Sequence, residues 1–402
     1  MSATSGRHFL QIPGPSPVPE RILHAIARPV IDHRGPEFGR LGREVLAGCQ
    51  TVFNTTGAVA IYPSSGTGAW EAAIVNTLSP GDTVLVPETG HFASLWRQMA
   101  QRWGVETEII ENDWRHAADA AAIEAKLNED RQHRIKAVMV VHNETSTGVT
   151  SNIADIRRAI DRARHPCLLL VDTISSLGSI DVQHDEWRAD VTVACSQKGL
   201  MLPPGLGLMA ISEKALAASK TNRMPRSYWD WSEMLKLSHQ GFFPYTPASN
   251  LLQGLRESFA MLFEEGLDNV FRRHEMLAAA TRSAVRAWGL EINCVDPRAY
   301  SPVLTGVIMP AGHNADRFRE VVLNEFDMSL GTGLSKVAGK IFRIGHLGSC
   351  NELTLMGTLA GVEMGLSLAD VPHRASGVAA ARDHLINVRK GAARDNILVA
   401  NI

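Results

Sequence analysis

Four short runs of apolar, largely β-branched residues constrain this chain most: Thr83–Pro87, Ala137–Val141, Cys167–Val171 and Val191–Ala194. Each is too short for a helix and apolar on both faces, the pattern of a strand covered from two sides in a parallel sheet. Between the second and third lies Ile153–Arg164, where Ile153, Ile156 and Ile160 recur at helical spacing and arginines occupy the other face. Strand and helix signals alternate in this way from about residue 40 to about 250. That alternation predicts an α/β fold built on an open, mostly parallel sheet.

After Thr246-Pro247 the character changes. The spacing predicts one long helix from about 250 to 285, and then mixed strand and helix, read as a smaller α+β domain. The first stretch, Ile12–Pro19, is too rich in Pro and Gly for either element and reads as an ordered arm or loop. With 402 residues, two domains are expected. The division is an arm over 1–20, a large ligand-binding domain over 21–255 and a small C-terminal domain over 256–402.

A net charge of −2 offers no basic field for nucleic acid or a membrane surface. Small anionic substrates would have to be caught by local arginines. The five cysteines (Cys49, Cys167, Cys195, Cys294, Cys350) are odd in number, widely spaced and form no CxxC pair. That argues against structural disulfides and against zinc, and no metal is expected. The N-terminal stretch has no apolar core of signal-peptide length, no apolar run approaches membrane-spanning length, and the C-terminal Ala-Asn-Ile is not a peroxisomal address, so a cytoplasmic location is expected.

Several polar groups fall where an open α/β sheet binds ligands, at the carboxyl ends of strands. Ser64-Ser65-Gly66-Thr67-Gly68 follows Ile61-Tyr62 and precedes a helical stretch from Ala69. It reads as a plain Gly-rich turn or as a phosphate cup, where small residues let the backbone approach and a helix start offers free N–H groups. It lacks the order of a dinucleotide fingerprint and the Walker lysine, which favours a simpler phosphate ester. Asp172 ends a strand, as an N-cap or as the partner of a cationic heterocycle nitrogen. Lys198 sits between the run ending at Ala194 and the apolar Leu200–Pro204. It reads as a solvated charge or as a desolvated amine with a lowered pKa, nucleophilic toward an aldehyde. Cup, strand-end Asp and strand-end Lys in that chain order are what pyridoxal phosphate (PLP) requires: a site for its phosphate, an anion for its ring nitrogen and an amine for its aldehyde.

The motifs SSGTGAWE (from Ser64), VHNETSTGV (from Val141), VDTISS (from Val171), SQKGLMLPPGLG (from Ser196), FPYTP (from Phe243) and KIFRIGHLG (from Lys340) resemble the class V, fold-type I aminotransferases. The likeness is to their serine–glyoxylate, alanine–glyoxylate and aspartate–glyoxylate members. It runs from Ile12 to Ala380, nearly the whole chain. The resemblance implies that Lys198 carries PLP as a Schiff base and then acts as the base. Asp172 would keep the ring nitrogen protonated. Ser65, Gly66, Thr67, Gly68 and Gln197 would bind the phosphate, Phe92 would stack on the ring with Trp96 as a rival, and Thr145 would bond the 3-oxygen. Tyr245 and Thr246 would reach the partner's phosphate, which implies a homodimer with shared active sites. Arg343 would clamp the substrate α-carboxylate, which suits its planar fork. His33 and Arg34 would help choose the amino donor from a neighbouring loop, or form a solvated surface loop.

Two positions depart from the family pattern: Thr173 stands where Gly is usual, and Gly35 where a serine is usual. The reaction this implies is a ping-pong transamination from an L-amino acid, L-serine first, to glyoxylate, giving hydroxypyruvate and glycine. Aspartate or alanine is the alternative donor, and Arg34 could serve an aspartate side chain. More distant readings are a cysteine desulfurase or lyase using Cys350, and a catalytically silent binding protein on the same fold. A dehydrogenase lacks its fingerprint.

Overall fold

All four apolar runs become neighbours in one seven-stranded sheet. The computed structural model describes residues 6–399, with side chains through residue 391. In chain order its strands are β1 (Phe9–Gln11), β2 (Ala58–Ser64), β3 (Thr83–Pro87), β4 (Glu106–Ile110), β5 (Ile135–Val141), β6 (Asn143–Glu144), β7 (Val149–Thr150), β8 (Leu168–Asp172), β9 (Val191–Cys195), β10 (Gly205–Ile211), β11 (Glu291–Ile292), β12 (Leu304–Ile308), β13 (Met328–Thr332) and β14 (Ile341–Gly345). The large sheet runs β2-β10-β9-β8-β5-β3-β4. From β4 to β9 neighbours are parallel, while β10 runs antiparallel to both β9 and β2. The mostly parallel open sheet expected from the sequence is present.

Every residue of β8 and β9 is buried. Successive side chains go to opposite faces. Leu168 and Leu170 join the core under the helix Gly66–Thr77, whereas Leu169 and Val171 join the core under the helix Ile153–Arg162. Burial on two faces is why the run had no polar alternation. Fully burying each such side chain is worth ~1.5–3 kcal/mol.

The helix Ile153–Arg162 buries Ile153, Ile156 and Ile160, and Asn152 caps it by accepting the Asp155 N–H. It ends two residues before the expected Arg164, which has φ of 52°. One arginine of its outer face, Arg157, is buried and pairs with Asp161 at 2.7 Å. The long helix expected from about 250 to 285 is two helices, Ser249–Glu265 and Leu267–Trp288. Gly266 between them has φ of 82°, a left-handed conformation that glycine adopts without steric cost and that ends the first helix.

The second sheet runs β1-β13-β14-β12-β11. Its strands are antiparallel except for β1, which pairs in parallel with β13. The residues after β1 cross to the large sheet, where the Ser16 N–H donates to the Gln197 carbonyl at 3.0 Å and the Ser16 hydroxyl to the Lys198 carbonyl at 2.8 Å. The ordered arm therefore links the two sheets. No helix among the described residues is long and apolar enough to cross a membrane.

Candidate active site

The carboxyl ends of β2, β3, β5, β8 and β9 open on one cavity of about 160 Å³, lined in part by Ser65, Phe92, Thr145, Asp172 and Lys198. A parallel sheet puts these ends on one edge, which is why residues far apart in sequence meet there.

Lys198 lies in the turn between β9 and β10. The turn is closed by the Met201 N–H on the Lys198 carbonyl, 3.0 Å, and by the Leu202 N–H on the Ser196 carbonyl, 3.1 Å. The Lys198 ammonium donates to the Pro13 carbonyl of the arm. Burial pulls its pKa down to about 8. An amine held there is partly unprotonated near neutral pH and can attack a carbonyl.

Asp172, at the end of β8, is 3% exposed. Its Oδ1 accepts the Ile174 N–H at 2.7 Å and its Oδ2 accepts the Trp70 indole N–H at 3.0 Å. Burial pushes its pKa up to about 7, with Glu144 adding to the rise; the two hydrogen bonds and Lys198 oppose it. A cation in the cavity would pull it back down.

Ser65 is the N-cap residue of the helix Gly66–Thr77, and its side chain makes no capping bond, so first-turn N–H groups there are left for a ligand. Gln197 Oε1 is buried without a partner beside the same cavity. Phe92 stands in the first turn of the helix His91–Arg102 and lines the cavity, while Trp96, one turn on, is buried behind it and does not.

Arg343 sits mid-strand in β14, on the second sheet. Its Nε donates to the Thr332 carbonyl at 2.8 Å and an Nη to the Thr145 carbonyl at 2.7 Å. The second bond crosses to the large sheet's edge. Gly331 faces it across the ladder, and a Cβ there would lie 2.9 Å from the Arg343 Cβ, so only glycine leaves this guanidinium its room. Burial lowers the Arg343 pKa to about 10, opposed by the Glu144 carboxylate.

Gly68, Arg343, Tyr245, Thr246, His33 and Arg34 do not line the cavity within one chain, although Arg343 bonds the carbonyl of the lining residue Thr145. Tyr245 stacks on Tyr228 with ring centroids 4.4 Å apart, and its hydroxyl is buried without a partner. His33 Nε2 is likewise buried and unpartnered, and Arg34 is exposed in a turn whose N–H bonds the Asp32 carboxylate at 2.9 Å. Thr173 turns away from the cavity, its hydroxyl donating to the Val193 carbonyl at 3.0 Å.

Sequence reasoning missed Trp70, Glu144 and Pro13. Trp70 lies four residues after Gly66 in the same helix, and only the fold shows its reach to Asp172. Glu144, fully buried, accepts the Phe92 and Ala93 N–H groups and both the N–H and hydroxyl of Ser146. Cys350, weighed as a desulfurase nucleophile, is buried and its thiol is pushed up to about 12 by that burial. This is the reverse of an accessible thiolate.

The donor set fits PLP: a depressed amine and a buried carboxylate on neighbouring strand ends, and a helix start with open N–H groups. Residues 10–333 match the family model of class V aminotransferases. The chain is 47% identical over 394 residues to the serine–glyoxylate aminotransferase of Methylorubrum extorquens, covering 96% of this chain and 98% of that one. It is 45% identical to the L-aspartate–glyoxylate aminotransferase of Paracoccus denitrificans, over 93% of this chain and 95% of that one. Among solved structures, pyridoxamine–pyruvate aminotransferase from Mesorhizobium loti superposes with a TM-score of 0.90 at 26% identity, over 96% of this chain and 98% of that one.

Proposed function

The chain belongs to the class V aminotransferases, PLP-dependent enzymes of fold type I, and from that premise we propose that it transfers the amino group of L-serine to glyoxylate. The products are hydroxypyruvate and glycine. The observation that carries the reading is the convergence of Lys198, Asp172 and the Ser65–Thr67 cup on one cavity, with Arg343 bonded to its Thr145 wall.

In this reading bound PLP supplies an aldehyde for amino groups and a ring that takes up electrons from Cα. Lys198 would hold it through Nζ, and the same Nζ, once freed, would take up the Cα proton. Its lowered pKa keeps a useful share of the amine unprotonated. Asp172 fixes negative charge opposite the ring nitrogen. The first-turn N–H groups after Ser65, with Gly66, Thr67, Gly68 and Gln197, hold the phosphate, Phe92 covers the ring and Thr145 bonds its 3-oxygen. Arg343, oriented by two carbonyls, turns the rest of its fork to the substrate carboxylate.

Tyr245 and Thr246 are assigned to the phosphate of a partner subunit, and His33 and Arg34 to its substrate entrance. The unpartnered Tyr245 hydroxyl and His33 nitrogen support a homodimer that completes both sites. The division at residues 20 and 255 belongs to the same proposal; the first five residues of the arm lie outside the described ones. Free cysteines at all five positions support a cytoplasmic setting.

Serine and aspartate differ by one charge, and relatives using either name are 44–47% identical to this chain. The test is the holoenzyme mixed with serine, aspartate or alanine in the absence of acceptor. The fastest bleaching of the cofactor colour at equal concentration, reversed by glyoxylate, identifies the donor. Serine leading supports the proposal. Aspartate or alanine leading replaces the donor, and no bleaching by any of them overturns transamination.

A further inference from the structure

Asp172 does not stand alone at the end of β8. Its two oxygens each have one donor, the backbone N–H of Ile174 and the indole N–H of Trp70. The backbone donor is lost only to proline, which would also disturb the chain, whereas the indole can be removed with a ring kept in its place. Trp70 is 3% exposed and is fixed from two sides. Its ring stacks on Trp96 at 5.8 Å and 14°, and it meets Phe92 at 6.4 Å and 57°. It also belongs to the helix that begins at the Ser65 cup. One side chain thus ties the cup's helix, the helix bearing Phe92 and the strand-end carboxylate together.

We propose that Trp70 is a positioning residue, whose indole N–H holds Asp172 in its ionised form and in the orientation that serves the cofactor's ring nitrogen. A neutral N–H donor bonded to one oxygen of a carboxylate favours the anion over the acid, because the acid has less charge to accept with. The groups facing Asp172 pull both ways. Glu144 disfavours a second negative charge, Lys198 favours it, and the neutral Cys195 thiol on β9 contributes little. Burial dominates and favours the acid. Against that background, loss of one donor raises the proton affinity of Asp172, so the sign is fixed: the acid limb moves to higher pH.

This inference rests on the assignment of Asp172 to the ring nitrogen, and the test separates the two. The probe is bound PLP itself, read by its visible absorbance as pH is lowered, together with its dissociation constant. Trp70→Phe keeps an aromatic ring and removes the donor. Trp70→His keeps a ring N–H and covers the case in which the phenylalanine variant does not fold. Trp96→Phe is the packing control, because the Trp96 indole nitrogen is buried without a partner. We expect Trp70→Phe to shift the acid midpoint upward by about one unit and to weaken PLP binding ~10-fold. Trp70→His should fall between it and the native enzyme, and Trp96→Phe should leave the midpoint in place. An unmoved midpoint in Trp70→Phe, or an equal shift in Trp96→Phe, overturns the inference. If Asp172→Asn also leaves the titration unchanged, the assignment of Asp172 is what fails.

Discussion

A carboxylate oxygen of Glu144 lies 3.1 Å from the backbone nitrogen of Phe92, and the same oxygen lies 3.1 Å from that of Ala93. A buried acid thereby caps the helix His91–Arg102 from outside its own sequence, in place of a side-chain cap at Gly90. Burial raises the Glu144 pKa, and the four donors around it oppose the rise. Its removal strands two buried N–H groups, of Ala93 and Ser146, and the half-buried one of Phe92. Glu144→Ala should cost ~2–4 kcal/mol of stability, and Glu144→Gln less, measured by chemical denaturation of the apoenzyme. Because Phe92 is on that helix, PLP affinity should fall in the same order. An alanine variant as stable as the native chain contradicts this reading.

The lowered pKa of Lys198 gives a pH dependence with a definite sign. The attacking form is the free amine, and burial moves half-deprotonation down to about 8 from the ordinary lysine range. The rate at which apoenzyme captures PLP should rise about tenfold per pH unit at low pH and level off above about 8. Stopped-flow absorbance measures it. A rate still climbing tenfold per unit at pH 10 would mean that Lys198 is an ordinary solvated lysine.

Arg343 is buried with two carbonyl acceptors and its fork toward the cavity wall. Arg343→Ala should raise the amino-acid concentration for half-saturation by about 30- to 1000-fold, equivalent to ~2–4 kcal/mol, with PLP still bound. Arg343→Lys should recover only part of this, since a point charge does not reproduce a bidentate contact. Equal half-saturation in all three enzymes would remove Arg343 from substrate binding.

Thr173 departs from the family's glycine, yet its hydroxyl and N–H both bond the Val193 carbonyl on the next strand. Thr173→Gly should therefore cost ~1–2 kcal/mol of stability through a lost hydrogen bond and a freer unfolded chain, with donor preference unchanged. Thermal unfolding beside a donor panel decides it, and a changed donor order would show that this side chain reaches the substrate.

The sequence was most readable where one local rule decides the structure. β8 and β9 are buried on both faces, so continuous apolar runs marked them. Lys198 and Asp172 lie at strand ends, and an open sheet gathers such ends. The three residues of β1 gave no such signal, because they are strands only through pairing with β13, some 320 positions away. The apolar spacing continues across Gly266, so it does not show that the glycine, with φ of 82°, ends one helix before the next begins. Trp70 and Glu144 carry no local signal, since their work depends on partners in other elements.

Lys198 is proposed to be the residue that holds the cofactor. Borohydride reduction of the native holoenzyme fixes PLP to that lysine, and peptide mass spectrometry locates the added mass. The added mass is expected on the peptide containing Lys198 and absent from an equally treated Lys198→Ala variant. Added mass on another lysine, or none with the colour retained, would contradict it.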